Sequence, residues 1–178
     1  MSLAFIALGA NLPSPAGPPD ATLAAVLPLL AANGRIAARS SLYSTAPVGS
    51  PPDFTDQPRF LNAVIALDTD LTPRIVLDAL LSIERHFGRD RSTAPPNGPR
   101  TLDLDLLLYG DLVLSEFDLE IPHPRLAQRA FVLVPLVEIA PNTVDPRSGL
   151  TASQLLANLA PADPGVVVRI ASPYWPGD

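Results

Sequence analysis

Apolar and polar residues follow one another along this chain in a pattern that predicts a mixture of strands and helices. Residues 3–8 form a continuous apolar run that ends in a Gly-Ala-Asn turn signal, which is typical of a buried strand. Residues 35–43 alternate weakly and predict a second strand. Residues 60–67 predict a third strand with apolar side chains on both faces, and residues 166–170 predict a last one.

Two segments have the apolar spacing of helices. Residues 21–32 carry leucine and valine at helical spacing, with Asp20 as the predicted cap and Pro28 as a predicted kink or early end. The second helix has clearer signals, because Thr72 is a good cap and Pro73 suits the first helical position. An apolar stripe then continues to a glycine that ends the helix.

The second half of the chain is less regular. Residues 112–114 predict a hairpin strand that pairs back on the strand before it, and residues 123–137 predict short helical turns. Thr151 and Gln154 have the spacing of a capping box, which predicts a further helix. We expect the tail after Ser172 to be loose.

Residues 98–111, with the sequence GPRTLDLDLLLYGD, place two acids at alternate positions inside an aliphatic run. In a strand, Asp103 and Asp105 project to one face while the neighbouring leucines project to the other. The two carboxylates repel unless a cation lies between them, and at about 6–7 Å spacing their oxygens can converge on magnesium. The alternative is an ordinary solvated face of an antiparallel sheet.

The order of the main elements indicates the fold class. Strand, helix, strand, strand, helix and strand form the split βαβ arrangement of ferredoxin-like folds. We therefore predict an α+β sandwich, with an antiparallel sheet and helices on one face. The length of 178 residues predicts a single domain over residues 1–178. Because this fold hosts many functions, function has to be argued from a site.

Composition narrows the classes of partner and location. The net charge is −6 and all 12 basic residues are arginine, so we expect no nucleic-acid partner. The chain has no cysteine, which removes disulfides and thiolate metal sites. The apolar start is too short for a secretory signal and no run reaches membrane-spanning length. We therefore expect a cytoplasmic protein with no membrane partner.

Arginines cluster between the second predicted helix and the acidic strand, at Arg85, Arg89, Arg91 and Arg100. A metal-binding acid pair beside an arginine-bearing loop suits phosphoryl transfer, because guanidinium groups neutralise the charge that moves between phosphate oxygens. We expect the loop of residues 89–97 to be mobile without ligand and ordered when nucleotide binds. His123, held between two prolines, is a further candidate for a phosphate contact.

The octapeptide GPRTLDLD at residues 98–105 closely resembles the signature of hydroxymethyldihydropterin pyrophosphokinases, which belong to folate biosynthesis. Further segments that resemble this family follow in the same order, at residues 7–12 (ALGANL), 43–49 (YSTAPVG), 60–62 (FLN), 83–91, 121–123 (IPH), 129–131 (RAF) and 135–141. The resemblance covers about residues 4–146. Residues 146–178 are then a C-terminal extension that is atypical of the family.

The resemblance implies transfer of diphosphate from ATP to the hydroxymethyl group of hydroxymethyl-dihydropterin, which gives the pterin diphosphate and AMP. Asp103 and Asp105 would bind two Mg²⁺ ions and would be catalytic, together with Arg89, Arg91 and Arg100. The residues implied in ATP binding are Glu84, Arg89, Arg91, Arg100, Leu106, His123 and Arg129. Those implied in pterin binding are Thr45, Val48, Phe60, Asn62 and Phe131. We expect a monomer that acts on these two small molecules.

Two other functions remain open at this stage. Palm-type nucleotidyl transferases and cyclases also use two strand acids and two metals, and a non-catalytic ferredoxin-like binding module would leave the acids solvated. The chain also departs from the family pattern. Pro96 and Asn97 stand where members carry a basic residue and a tryptophan, Leu81 replaces a frequent glutamine, and Pro124 replaces a frequent tyrosine.

Overall fold

The computed structural model describes residues 1–49, 56–89, 97–159 and 167–176. Its strands are β1 Ser2–Ala10, β2 Arg35–Arg39, β3 Leu42–Thr45, β4 Phe60–Thr69, β5 Asp103–Tyr109, β6 Leu114–Ser115, β7 Glu120–Ile121 and β8 Val168–Ile170. Its helices are α1 Pro19–Ala31, α2 Pro73–His86, α3 Ala130–Ile139 and α4 Ala152–Asn158, with a 3₁₀ turn at Leu126–Gln128. Within these ranges, no helix combines the length and apolar character that crossing a membrane requires.

The main sheet has the strand order β5-β1-β4-β3-β8, and β2 pairs with β4 beside β3. Each of these pairings is antiparallel. The chain therefore follows the split βαβ path, because the first and last strands of the βαββαβ unit, β1 and β5, become neighbours. This confirms the α+β, ferredoxin-like class that the sequence predicts.

Two apolar clusters lie on opposite faces of the sheet. On one face, Leu23 and Val26 of α1 and Leu80 of α2 pack with Leu8 and Ile65 of the strands. This is the predicted helical layer. On the other face, α3 and α4 pack against side chains of β1, β4 and β5, so the structure adds a second helical layer that the sequence pattern does not place.

Helix α1 differs from the prediction at its start. It begins at Pro19, its cap residue is Pro18, and no side chain forms a hydrogen bond at the cap. Asp20 therefore lies inside the first turn, where proline can precede it because the first N–H groups need no helical partner. Pro28 does not end the helix, since in the last turn it removes only one backbone hydrogen bond.

The predicted strand at residues 35–43 is divided into β2 and β3 by Ser40. The Ser40 amide donates to the Val64 carbonyl over 2.9 Å, and the Val64 amide donates to Ser40 Oγ over 2.9 Å. The serine side chain thus replaces one rung of the ladder with β4. After this break, β3 continues to pair with β4.

Three predictions for the second half are wrong. Strand β6 pairs with β7 and not with β5. Of the short turns predicted over residues 123–137, the structure has one at Leu126–Gln128, but Ala130–Ile139 form one helix, because its buried side chains cover the second face of the sheet. The tail after Ser172 is not loose, since Trp175 is buried in the cluster beneath α1 and α2.

We predict that Leu133→Ala destabilises the protein by about 2–5 kcal/mol, because Leu133 is fully buried between α3 and the sheet. Leu29→Ala, at an exposed position of α1, is the control and should change the free energy of unfolding by less than about 0.5 kcal/mol. Urea denaturation measures both. Equal effects would contradict an integral second helical layer.

Candidate active site

The acidic strand β5 is an edge strand with two distinct faces. Leu102, Leu104 and Leu106 are buried in the core beneath α1 and α2. Asp103 and Asp105 project to the opposite face, which is the face that α3 partly covers, and their side chains are about one fifth to one quarter exposed at 22% and 24%. The predicted division of this strand is confirmed.

Among the described residues, arginines from two different parts of the chain bind Asp103. Arg89, which follows α2, donates from Nη1 to Asp103 Oδ1 and also to the Leu102 carbonyl over 2.7 Å. Arg100 donates from Nη1 to Asp103 Oδ2 over 2.7 Å. Both oxygens of this carboxylate therefore accept charge-assisted hydrogen bonds.

A guanidinium group and an imidazole ring approach Asp105 from the other side. Arg129 Nη1 lies 3.3 Å from Asp105 Oδ2, and His123 Nε2 lies 3.9 Å from the same oxygen. Like Asp103, Asp105 has a guanidinium partner, which offsets the repulsion between two acids on one face.

Glu84 lies behind the acid pair, with its side chain 1% exposed. Its carboxylate accepts a hydrogen bond from the Leu104 amide over 2.8 Å, and Arg89 Nη1 lies 3.7 Å away. Because Leu104 separates the two acids, this bond fixes the backbone between them. Helix α2 thus holds the acidic strand through Glu84.

Asn11 is a site residue that the sequence pattern marks only as part of a turn. It is 2% exposed. Its side-chain Oδ1 accepts from the backbone N–H of Arg100 over 2.7 Å, and its backbone N–H donates to the Arg100 carbonyl over 3.0 Å. Its Nδ2 donates to the Pro58 carbonyl over 3.1 Å. Asn11 therefore fixes the backbone from which Arg100 reaches Asp103.

A cleft beside the acid pair brings most of the other predicted residues together. It is lined by Gly9, Thr45, Ala46, Val48, Phe60, Asn62, Asn97, Arg100, Asp103, Arg129 and Phe131. Inside it, Asn62 donates from Nδ2 to Thr45 Oγ1 over 2.8 Å. The guanidinium of Arg100 lies 5.3 Å from the centre of the Phe60 ring, and that of Arg129 lies 5.5 Å from the Phe131 ring.

Gly9 connects the acid pair to the cleft. In the sheet it pairs with Asn62 on one side and with Asp103 on the other. A Cβ atom at this position would lie 3.5 Å from Asn62 Oδ1 and 3.7 Å from the Asp103 Cβ. Glycine therefore leaves open the floor between the amide and the carboxylate, a feature that the apolar pattern of β1 does not reveal.

One predicted site residue, Leu106, turns its side chain away from this group. That side chain belongs to the buried cluster on the opposite face, so any contact of Leu106 with a ligand would have to be made by its backbone. Arg91 lies outside the described residues, as does most of the loop at residues 89–97, whose mobility stays a prediction. Val48, 50% exposed, stands at the rim of the cleft.

The donor atoms suit magnesium carried by a phosphate ligand. Among the residues that the structure describes, no three side chains of metal-binding type converge, so Asp103 and Asp105 would share a metal with further ligands. Magnesium is commonly held by one or two carboxylates together with waters and substrate phosphates. Arg89 Nε is also buried with no hydrogen-bond partner in the described chain, which leaves a donor for an anionic ligand.

Burial shifts the pKa values of the two groups beside Asp105. Burial lowers the pKa of His123 from its ordinary value of 6.5, Asp105 opposes that shift, and the positive charges of Arg129 and Arg125 add to it. Burial likewise lowers the pKa of Arg129, which Asp105 opposes. His123 is therefore neutral at pH 7, where it can accept or donate a hydrogen bond without adding charge.

Together, the fold and the cleft define a class of protein: a ferredoxin-like α+β domain with an acid pair and arginines beside an aromatic-lined, amide-bearing cleft. The family model that matches residues 5–141 is described as 7,8-dihydro-6-hydroxymethylpterin-pyrophosphokinase (HPPK). The chain belongs to this family. The family and the enzyme class predicted from the sequence, a pyrophosphokinase, are thereby confirmed.

Similar proteins agree with this membership. A 2-amino-4-hydroxy-6-hydroxymethyldihydropteridine pyrophosphokinase of Methylorubrum extorquens is 43% identical over 164 residues, which cover 91% of this chain and 96% of the relative. One from Synechocystis is 50% identical over 117 residues, which cover 66% of this chain and only 56% of the relative. The crystal structure of Plasmodium falciparum HPPK-DHPS has a TM-score of 0.66 at 16% identity, and it covers 88% of this chain and 44% of that chain. This last similarity supports the fold alone.

We predict that His123 titrates below pH 6.5 in the metal-free protein, because its burial disfavours the charged form. The unfolded chain then binds more protons than the folded chain around that pH, so neutral His123 supports stability above 6.5, and this support falls as the pH drops. Asp105→Asn should lower the midpoint further, since it removes the opposing charge. An NMR titration of the ring measures both, and a midpoint at or above 6.5 would contradict this account.

Proposed function

We propose that this protein transfers diphosphate from ATP to the hydroxymethyl group of 6-hydroxymethyl-7,8-dihydropterin and releases AMP, as a step of folate biosynthesis. The observation that carries this proposal is the cross-strand row of Asp103, Gly9 and Asn62. In this row, Gly9 lies between the carboxylate of Asp103, which would face the phosphates, and the amide of Asn62, which faces the aromatic cleft. Family membership supports the same reaction.

In this proposal, Asp103 and Asp105 hold two Mg²⁺ ions on the ATP phosphates. When bound, magnesium polarises the phosphoryl oxygens and offsets the charge on the leaving group. The two acids already lie among cationic partners, which suits a site whose carboxylates exchange guanidinium groups for metal ions.

With magnesium bound, the arginines would be available for a second task. Arg89, Arg100 and Arg129 reach Asp103 or Asp105 with Nη1, so a short side-chain movement turns the same groups toward bound phosphate. Guanidinium groups stabilise the charge that develops on the transferred group. We assign Arg91 the same role from the family resemblance, and we place His123, Glu84 and the backbone at Leu106 at the nucleotide side.

The pterin is proposed to lie in the cleft between Phe60 and Phe131. Aromatic faces hold a flat heterocycle well, and the amide of Asn62 offers both a donor and an acceptor to its edge. Thr45 holds that amide through its hydroxyl. Val48 would cover the outer rim of the ring.

The reaction then needs no covalent enzyme intermediate. The hydroxymethyl oxygen attacks the β-phosphorus of ATP in line, the bond to the α-phosphate oxygen breaks, and AMP leaves with that oxygen. The hydroxyl proton is lost as the new bond forms. Asp103 is the carboxylate nearer to the cleft and is proposed to accept it.

We further propose a single domain over residues 1–178 that acts as a cytoplasmic monomer on these two small molecules, without a nucleic-acid or membrane partner. The net charge of −6 supports the absence of nucleic acid.

We predict that incubation with ATP, magnesium and 6-hydroxymethyl-7,8-dihydropterin yields AMP, and that chelation of magnesium stops it. Asp103→Asn and Asp105→Asn should each lower kcat by at least about 100-fold, because each removes charge from the metal and phosphate site. Asp111→Asn is the matched control, since Asp111 ends the same acidic stretch but is exposed in a turn. It should change kcat by less than about twofold.

The nucleotide product separates the rival functions. AMP supports diphosphate transfer, whereas released pyrophosphate would indicate a nucleotidyl transferase or cyclase. No turnover by folded protein would favour a non-catalytic binding module, and equal activity of Asp105→Asn and Asp111→Asn would contradict a catalytic role for Asp105.

A further inference from the structure

The C-terminal segment at residues 167–176 lies beyond the part of the chain that the family model matches, which ends at residue 141. It nevertheless forms an outer strand of the main sheet, because β8 pairs with β3 from Leu42↔Ile170 to Ser44↔Val168. It then turns back and buries Trp175 in the core cluster. Nothing in the proposed reaction yet gives this segment a task.

Trp175 is attached to the sheet by both polar and aromatic contacts. It is 7% exposed, and its indole N–H donates to the Ser40 carbonyl over 3.0 Å in a buried hydrogen bond. The guanidinium of Arg39 lies 5.2 Å from the centre of its ring, and Arg39 Nη2 donates to the Pro176 carbonyl over 2.7 Å. Both partners belong to the junction between β2 and β3.

Ser40 is the residue at which the chain changes from β2 to β3, and its other polar groups are already used. Its amide and its hydroxyl both bond to the Val64 backbone, and the hydroxyl also donates to the Ser41 carbonyl. The residue is 1% exposed, so its carbonyl is remote from water. A buried carbonyl that loses its partner is costly, and the indole of Trp175 is the partner that the structure provides.

The strand that follows this junction forms one wall of the cleft. β3 has only four residues, and it ends at Thr45, which receives the hydrogen bond of Asn62. On its inner side, β3 pairs with β4 from Tyr43↔Asn62 to Thr45↔Phe60. On its outer side β8 is its partner, so the C-terminal segment both covers the edge of β3 and fixes its first residues.

We propose that Trp175 is a positioning residue for the pterin cleft, which acts by fixing the junction at Ser40 and thereby the position of Thr45 on β3. This inference rests on the proposed function, because Thr45 and Asn62 are assigned there to the pterin. Among the described residues, the hydrogen-bond and cation–π contacts of the Trp175 indole are with Ser40 and Arg39, and they include neither Asp103 nor Asp105 nor the arginines that bind these two acids. Its loss should therefore affect the pterin and leave ATP unaffected.

The test is Trp175→Phe in the full chain, which keeps an aromatic ring in the core but removes the N–H that reaches Ser40. We expect KM for the pterin to rise about fivefold, as loss of a buried hydrogen bond suggests, while KM for ATP stays within about twofold. Leu30→Ala is the control, because Leu30 belongs to the same core cluster but lies in α1. It should lower stability without changing either KM.

A second measurement does not depend on activity. Amide hydrogen exchange should become faster at residues 42–45 in Trp175→Phe and stay unchanged in β5. An unchanged pterin KM, equal changes in both KM values, or a pterin KM that Leu30→Ala raises as much would overturn the proposal. If the unaltered protein shows no diphosphate transfer, the proposed function fails, and unchanged exchange at residues 42–45 would separately overturn the role of Trp175.

Discussion

Two carboxylates on one face of an edge strand are the constraint on which this site depends. Asp103 and Asp105 repel each other, and the chain brings Arg89, Arg100 and Arg129 from three separate segments to offset that repulsion. Each of these arginines is mostly buried beside its acid. The same arrangement suits the catalysis proposed here, because carboxylates that attract guanidinium groups would also attract magnesium, and the displaced guanidinium groups could then bind phosphate.

The ferredoxin-like sheet places the acid pair at one end of the site and the amide of Asn62 at the other. Antiparallel pairing puts β1 between β5 and β4, so Gly9 separates Asp103 from Asn62. Behind the strand, Glu84 fixes the backbone at Leu104, and in front of it α3 brings Arg129 and Phe131 over the face. In the proposed function, the phosphates and the flat ring would meet across this one open position of the sheet, which joins residues far apart in sequence.

Local signals predicted what is local. The alternation of β5 and the cap of α2 at Thr72 needed only neighbouring residues, and the octapeptide at residues 98–105 indicated the family. What depends on distant contacts was missed or wrong. The sequence around Trp175 indicates a loose tail, but in the structure its indole donates to the buried carbonyl of Ser40. Helix α3 is continuous because it covers the second apolar face of the sheet. The places of Gly9 and Asn11 in the site could not be predicted, because they depend on the strand register with Asp103 and on the position of Arg100.

The most direct test of the acid pair is a crystal structure with Mg²⁺ and a non-hydrolysable ATP analogue. We expect oxygens of Asp103 and Asp105 to coordinate magnesium at about 2.1 Å, and Arg89 and Arg100 to have moved from Asp103 to phosphate oxygens. A nucleotide bound with magnesium away from these carboxylates, or carboxylates that keep their arginine partners while the nucleotide is bound, would contradict this account.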